Sequence, residues 1–432
     1  MFTKPYKYFV GIIGICFLII NFLGCGKDRD RENKKRIRLT WTGYAFPVYD
    51  KFRTEESKKF ELIHPEIEVK YEPKTGQYID SILTAIAGGA GPDMFLLDAN
   101  YLVDFISRGT LVDLTDWIEE DKEYFKDIYP SLMEASKLNG RYYAIPGNCN
   151  VICLYYNKEL FDEARLSYPT ENWRWEDMLE AAQKLTKRDK SGRIIQFGLG
   201  VSSSWRLFFM FQNGGRFWNN DKTECIINSQ ESIEGLEFYK DLIEKYKVIP
   251  KSSDLRSEDE LRMFINNRLA MWVDGSWTGA QLSILAKEMD YGITHIPYSK
   301  NRFSEVGFNS LVIWSGSKNT RLAYELARFM IRPDAIKFLI DKGDSMPLRE
   351  KGEEEVDFFL RLPQMADDSG KILMGIMDYA VPWGWMSHPK IPFKEIGHII
   401  NKNLEEYIDI DKIAAKQALD NIAKEINLKL NQ

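Results

Sequence analysis

The strongest constraint on this chain is an alternation between two hydrophobic periods over residues 37–109. Ile37-Arg-Leu-Thr-Trp41 alternates with period two and stops at Thr42-Gly43, as a half-buried strand does at a turn. From Tyr49 to Leu62 the apolar residues recur at helical spacing, and His64-Pro65 closes that run. Ile67 to Tyr71 reads as a second strand, and Ile79 to Ala87 as a helix ended by Gly88-Gly89. Met94 to Leu97 is a short buried strand, followed by a helix from Tyr101 to Ser107 with Gly109 behind it. A β-α-β-α-β order needs crossover connections, which lay helices on both faces of a mostly parallel sheet. The chain is therefore expected to be an α/β protein.

Length and composition narrow the function. The 432 residues are two or three domains' worth, with 44% hydrophobic and 28% charged residues. That balance excludes a disordered chain, a collagen-like fibre and a multispanning membrane protein. A formal net charge of -6 supplies no basic field for nucleic acid, and 4 histidines leave little material for a metal site. No cofactor, metal or nucleic-acid partner is expected. Aromatic content stands out, with 11 Trp, 21 Tyr and 25 Phe, enough to serve both cores and a binding cleft.

Beyond Gly109 the rhythm continues. Tyr142 to Pro146 and Cys153 to Tyr156 read as extended pieces around a polar loop, Trp175 to Lys187 as an amphipathic helix, and Phe197 to Gly200 as a strand. Ser202-Ser-Ser204 is placed to cap a helical run from Trp205 to Phe211. Helices follow over Ser232–Tyr246 and Ser257–Asn267, strands over Ala270–Val273, Tyr291–Ile296 and Ser310–Trp314, and helices over Leu322–Met330 and Lys412–Leu428.

The amino terminus carries an address. Lys4 and Lys7 precede an apolar stretch of roughly fifteen residues ending at Leu23, which suits a signal peptide better than a membrane span of about 20. Phe22-Leu23-Gly24-Cys25 resembles the lipobox of bacterial lipoproteins, with Phe where that pattern prefers Leu. The resemblance implies a signal peptide over residues 1–24 and lipidation of Cys25. The charged, aperiodic segment over residues 25–36 then reads as a tether to the membrane. An uncleaved anchor helix or an ordinary secretory signal is the alternative. The remaining cysteines, Cys149, Cys153 and Cys225, fit neither a redox nor a zinc spacing and read as buried small hydrophobes, with room for one disulfide.

A set of ordered motifs points to one family. Gly89-Ala-Gly-Pro92-Asp93, Gly109-Thr-Leu-Val-Asp-Leu114, Gly140-Arg-Tyr-Tyr-Ala-Ile-Pro146 followed by Leu154-Tyr-Tyr-Asn-Lys158, and Ala270-Met271 followed by Gly275-Ser-Trp277 occur in order along the chain. Together they resemble the family 1 extracellular solute-binding proteins, the maltose-binding-protein-like sugar-capturing lipoproteins of ABC importers. Gly343-Asp-Ser-Met-Pro347 is similar to a later crossing motif, with one extra residue. The resemblance implies a two-lobed periplasmic-binding-protein type II fold whose hinge is crossed several times. Lobe 1 is expected over residues 37–146 plus 306–340, and lobe 2 over residues 147–304 plus 345–432. It also implies a monomer that binds a sugar or oligosaccharide between the lobes, delivers it to ABC permease subunits and performs no catalysis.

Sugar binding needs flat aromatic faces for C–H surfaces and fixed carboxylates or amides for hydroxyls. Positions after strands are where open α/β sheets bind ligands. On that basis, and on the family's cleft positions, the candidates are Thr42 and Tyr44 after the first strand, and Asp98 and Asn100 after the Met94 strand. Asn150 follows on the crossing, with Trp205, Asp274 and Trp277, Asn309 on the return, and the late aromatics Trp383 and Trp385. Each has a plainer role open to it: a helix cap for Asp98 and Asp274, turn chemistry for Thr42, Asn150 and Asn309, packing for the tryptophans. Trp41 suits core or cleft, while Trp117, Trp173 and Trp175 suit the core. Gly88-Gly-Ala-Gly91 lacks the Lys-Ser/Thr of a phosphate loop, and no nucleophile elbow, HExxH or EF-hand pattern occurs. Three rivals remain open: a non-sugar solute on the same scaffold, a sugar-sensing lipoprotein, and an exported glycoside hydrolase, which needs two facing carboxylates such as Asp98 and Asp274.

Overall fold

The computed structural model describes residues 36–350, apart from 46, 257 and 344, together with 356 and 368–432. The signal peptide, Cys25 and the tether up to residue 35 lie outside the described residues. The strands are β1 (Ile37–Tyr44), β2 (Ile67–Lys74), β3 (Met94–Asp98), β4 (Lys137–Leu138), β5 (Arg141–Tyr142), β6 (Ile145–Asn157), β7 (Lys187–Arg188), β8 (Ile194–Val201), β9 (Leu269–Gly275), β10 (Tyr291–Thr294), β11 (Glu305–Ile313) and β12 (Val381–Pro382). The main sheet runs β2-β1-β3-β11-β6-β9-β8-β7, with β10 also on β6 and β12 on β11.

The result is a two-lobed mixed α/β fold. β1 pairs in parallel with β2 and β3, as the opening alternation requires. The sheet is less parallel than the sequence rhythm predicts. β11 is antiparallel to both β3 and β6, and β6 to both β9 and β10. β6 and β11 are long strands that oppose each other and their neighbours β9, β10 and β3, while β12 lies parallel to β11.

The structure departs locally from the sequence expectations. The extended pieces expected on either side of a polar loop form one 13-residue strand, β6. Asn148 and Asn150 are tolerated inside it because their side chains are paired: Asn148 Oδ1 accepts from Asn309 N at 3.0 Å, and Asn150 Oδ1 from Ser276 Oγ at 2.8 Å. The helix expected from Trp205 is regular only over Phe208–Gln212, with turns before it. The helix Phe393–Ile408, unmarked in the sequence reading, has an apolar face of Ile396, Ile399, Ile400 and Leu404 on the second-lobe core.

Burial follows the pattern. Leu39 and Trp41 are buried in one hydrophobic cluster with Phe52 and Phe60, and Trp41 Nε1 donates to Ser57 Oγ at 2.9 Å, so Trp41 belongs to the core. Asp93 ties β1 to a distant turn, accepting from Thr40 N at 2.7 Å and from Ser317 Oγ at 2.5 Å. Trp175 is buried, and Trp117 and Trp173 pack partly buried against the cores. Cys149, Cys153 and Cys225 are buried free thiols, so the one disulfide left open by the sequence is not formed among them. Gly198 on β8 lies against the backbone of the helix Trp175–Leu185, where an added Cβ would collide with Ala182 O. Gly198→Ala is expected to lower unfolding free energy by about 2 kcal/mol or more, read by urea denaturation.

Candidate functional site

The strand register assembles a row of polar groups across β3, β11 and β6. Asp98 at the end of β3 lies opposite Asn309 on β11, Asn309 lies opposite Asn148 on β6, and Gly307 lies opposite Asn150. Ser276, just past β9, donates to Asn150 and so joins the row. Asp274 is the last residue but one of β9. Its Oδ2 accepts from Thr278 Oγ1 at 2.6 Å and its Oδ1 from Trp205 Nε1 at 3.3 Å, so it holds a helix start and an indole at once.

The tryptophans form a chain. The rings of Trp205 and Trp277 lie 6.3 Å apart, and those of Trp277 and Trp383 also 6.3 Å apart. Two glycines make room for this: the Trp277 indole covers Gly275, and a Cβ at Gly307 would lie 2.6 Å from the Trp383 ring. Trp385 meets the second-lobe ring of Phe211 edge-on at 4.8 Å. Trp383 and Trp385 also line a cavity of about 410 Å³ whose other wall includes Leu102 and Val103 of the first lobe. That volume falls in the range of about 300–1,000 Å³ usual for small-molecule sites.

One residue missing from the sequence candidates organises this wall. Glu305, at the start of β11 and 7% exposed, accepts from Trp385 Nε1 at 2.8 Å on Oε1 and from Trp383 Nε1 at 3.1 Å on Oε2. One carboxylate thus fixes both indoles. Its signal in the sequence is slight: an isolated acid opening the apolar run Val306–Trp314.

The remaining candidates are placed as follows. Asn100 reaches the same loop, accepting from Gly384 N at 2.8 Å on Oδ1 while its carbonyl accepts from Ser387 Oγ at 2.6 Å. Asp98 caps its short 3-10 turn through Asn100 N at 2.8 Å. Tyr44 packs against Tyr78 with its ring tilted and the centroids 4.0 Å apart, and its hydroxyl is pushed up by burial and then by the charge of Asp98. Thr42 is set apart from the others: it is buried, with its hydroxyl donating to Glu72 O. Asn309 Nδ2 donates to Asn148 Oδ1 at 3.1 Å.

The buried carboxyls of the site are partly dry, and Lys137 and Lys222 stand on the cavity wall. Burial pushes the Asp98 carboxyl up to about 6 and raises that of Asp274. It pushes Glu305 up to about 7, against the two indole hydrogen bonds that favour its charged form, with the charge of Asp98 adding to the rise. The arrangement offers fixed acceptors and flat apolar faces, the two things a polyhydroxylated ring requires. Among the described residues, no group of three or more His, Cys, Asp or Glu side chains could hold a metal ion.

Known proteins match this architecture. The family described as "Bacterial extracellular solute-binding protein" matches residues 47–337. The arabinooligosaccharide-binding protein of Bacillus subtilis is 23% identical, over 96% of this chain and 99% of that protein. The ABC substrate-binding protein of Listeria monocytogenes in complex with cycloalternan superposes with a TM-score of 0.80 and 26% identity, over 92% of this chain and 99% of that one. Maltose-bound MalE3 of T. maritima superposes with a TM-score of 0.74 and 22% identity, over 91% and 99% of the two chains.

Proposed function

The chain belongs to the bacterial extracellular solute-binding proteins, and on that premise we propose that it captures a neutral sugar or oligosaccharide between its lobes for delivery to an ABC permease. The observation that carries this reading is the joint anchoring of Trp383 and Trp385 on Glu305 beside a cavity, with Trp277 next in the chain of rings. Relatives whose names specify saccharides support it. Trp277, Trp383 and Trp385 offer the faces. Asp98, Asp274, Asn150 and Asn309 offer acceptors, and Asn100 and Glu305 hold the loop in place.

Capture follows from differential contact. Ligand touching both lobes stabilises the closed arrangement, so its population rises with occupancy. The hinge we propose lies where β6 changes partner, from β11 through Val151 to β9 from Ile152, and where β11 begins at Glu305. This moves the first crossing a few residues past Gly147. The third crossing is supported at Ser345–Pro347, where Met346 N donates to Cys149 O at 2.8 Å. Small-angle X-ray scattering tests the closure: saturating saccharide should reduce the radius of gyration, and an unchanged value contradicts a two-lobe clamp.

Catalysis is disfavoured because the matching family and the named relatives are binding proteins. We further propose an extracytoplasmic, monomeric protein held to the membrane through lipidated Cys25. Cys25→Ser should release it into the soluble fraction of fractionated cells; continued membrane attachment would favour an uncleaved helix.

A further inference from the structure

The cleft gathers Asp98, Asp274 and Glu305, with Lys137 and Lys222 on its cavity wall. A second cavity, of about 190 Å³, lies apart from it. It lies between the turn at Ser203-Ser204 and the helix Phe393–Ile408, and its polar lining is Ser203, Ser204, Arg206 and Asn401, with no Asp or Glu. Phe393, Ile396 and Ile400 supply an apolar wall.

Arg206 is only 8% exposed, and its Nη2 donates to Asn401 Oδ1 at 2.7 Å. That partner is a neutral amide. Glu405 and Asp409, toward the far end of the helix, act on Arg206 through space, without an ion pair among the described residues. A guanidinium carries five N–H donors, and a buried cation is ordinarily paired with an anion. Here the pairing is incomplete, and burial pulls the guanidinium pKa down accordingly.

We propose that this cavity binds a small organic carboxylate. The carboxylate meets Arg206 as a charge-assisted, two-oxygen partner. The exposed hydroxyls of Ser203 and Ser204 stand at the rim as further donors, and a short hydrocarbon body packs on the apolar wall. A fully hydrated inorganic anion gains nothing from that wall. The site is separate from the saccharide cleft: Trp205 sends its indole N–H to Asp274, while the neighbouring Arg206 bonds the helix.

Calorimetric titration of the mature chain with butyrate, butyramide, sulfate and inorganic phosphate tests this. Butyrate should bind saturably with a Kd below about 10 mM, and the other three at least about tenfold more weakly. Arg206→Gln should weaken butyrate by more than about tenfold. Gly397→Leu is the decisive variant, because a Cβ at Gly397 meets nothing within 4 Å and leucine is the better helix former. It adds bulk to the cavity lining without substituting Arg206, so it too should weaken butyrate by more than about tenfold while the melting temperature and the saccharide response are kept. No saturable butyrate binding, butyrate binding unchanged by Gly397→Leu, or equally tight sulfate or phosphate would each overturn the proposal. A failed saccharide titration would not, since the two sites share no residue.

Discussion

Trp383→Ala is expected to weaken saccharide binding by at least about tenfold, or about 1.4 kcal/mol, with the fold intact. The indole is half-buried, lies over Gly307, donates to Glu305 and faces the next ring in the chain. Its removal takes away a flat apolar face and one of the two N–H groups that hydrogen-bond the buried Glu305 carboxyl. Trp383→Phe separates these losses, because it keeps a face and deletes the N–H. The phenylalanine variant should fall between wild type and alanine in calorimetric titration. Equal affinity in all three proteins would remove Trp383 from the site.

Glu305→Gln should produce the second large effect, with opposite signs for stability and binding. The folded protein holds this carboxyl at about 7, above its ordinary 4.5, so the native state takes up a proton that the unfolded chain releases. Stability from this group is therefore greatest below about pH 4.5 and is lost as pH rises through about 7, by an amount on the order of 3 kcal/mol. Glutamine imitates the protonated form. The variant should match wild type near pH 5 and melt above it near pH 8, with Asp98 leaving a smaller slope of the same sign in both. Saccharide affinity near pH 8 should nevertheless fall by about tenfold, because an amide oxygen cannot serve two indoles as a carboxylate does. Parallel melting curves across this pH range would show that Glu305 is not held in its neutral form. A gain in stability joined to a loss of binding is the pattern of a site that stores cost for function.

The fold was largely legible because its signals are local. The alternation over 37–109 marks β1, β2 and β3 with the helices between them, and the turn at Asp93 falls where the motif order places it. The crossing strands were harder to read. Asn148 and Asn150 look like loop residues until their partners Asn309 and Ser276, more than a hundred positions away, are in place. The candidate site was legible as residue types after strands: Asp98, Asp274, Trp277 and Trp383 converge on one junction. Thr42 stood in the same local context, yet its hydroxyl turns to a β2 carbonyl, a choice made by the neighbouring strand. Glu305 escaped notice for a related reason. Nothing in its neighbourhood reveals that two indoles about eighty residues later will donate to it. Arg206, whose partner Asn401 lies 195 positions away, is the same case.

The most direct test of the account is a titration of the mature protein with a panel of neutral mono- and oligosaccharides, following tryptophan fluorescence and melting temperature and then recovering the sugar. The account predicts a saturable fluorescence change and a raised melting temperature with one saccharide class, and sugar recovered unchanged. No response to any neutral saccharide, or recovery of cleaved product, would contradict it.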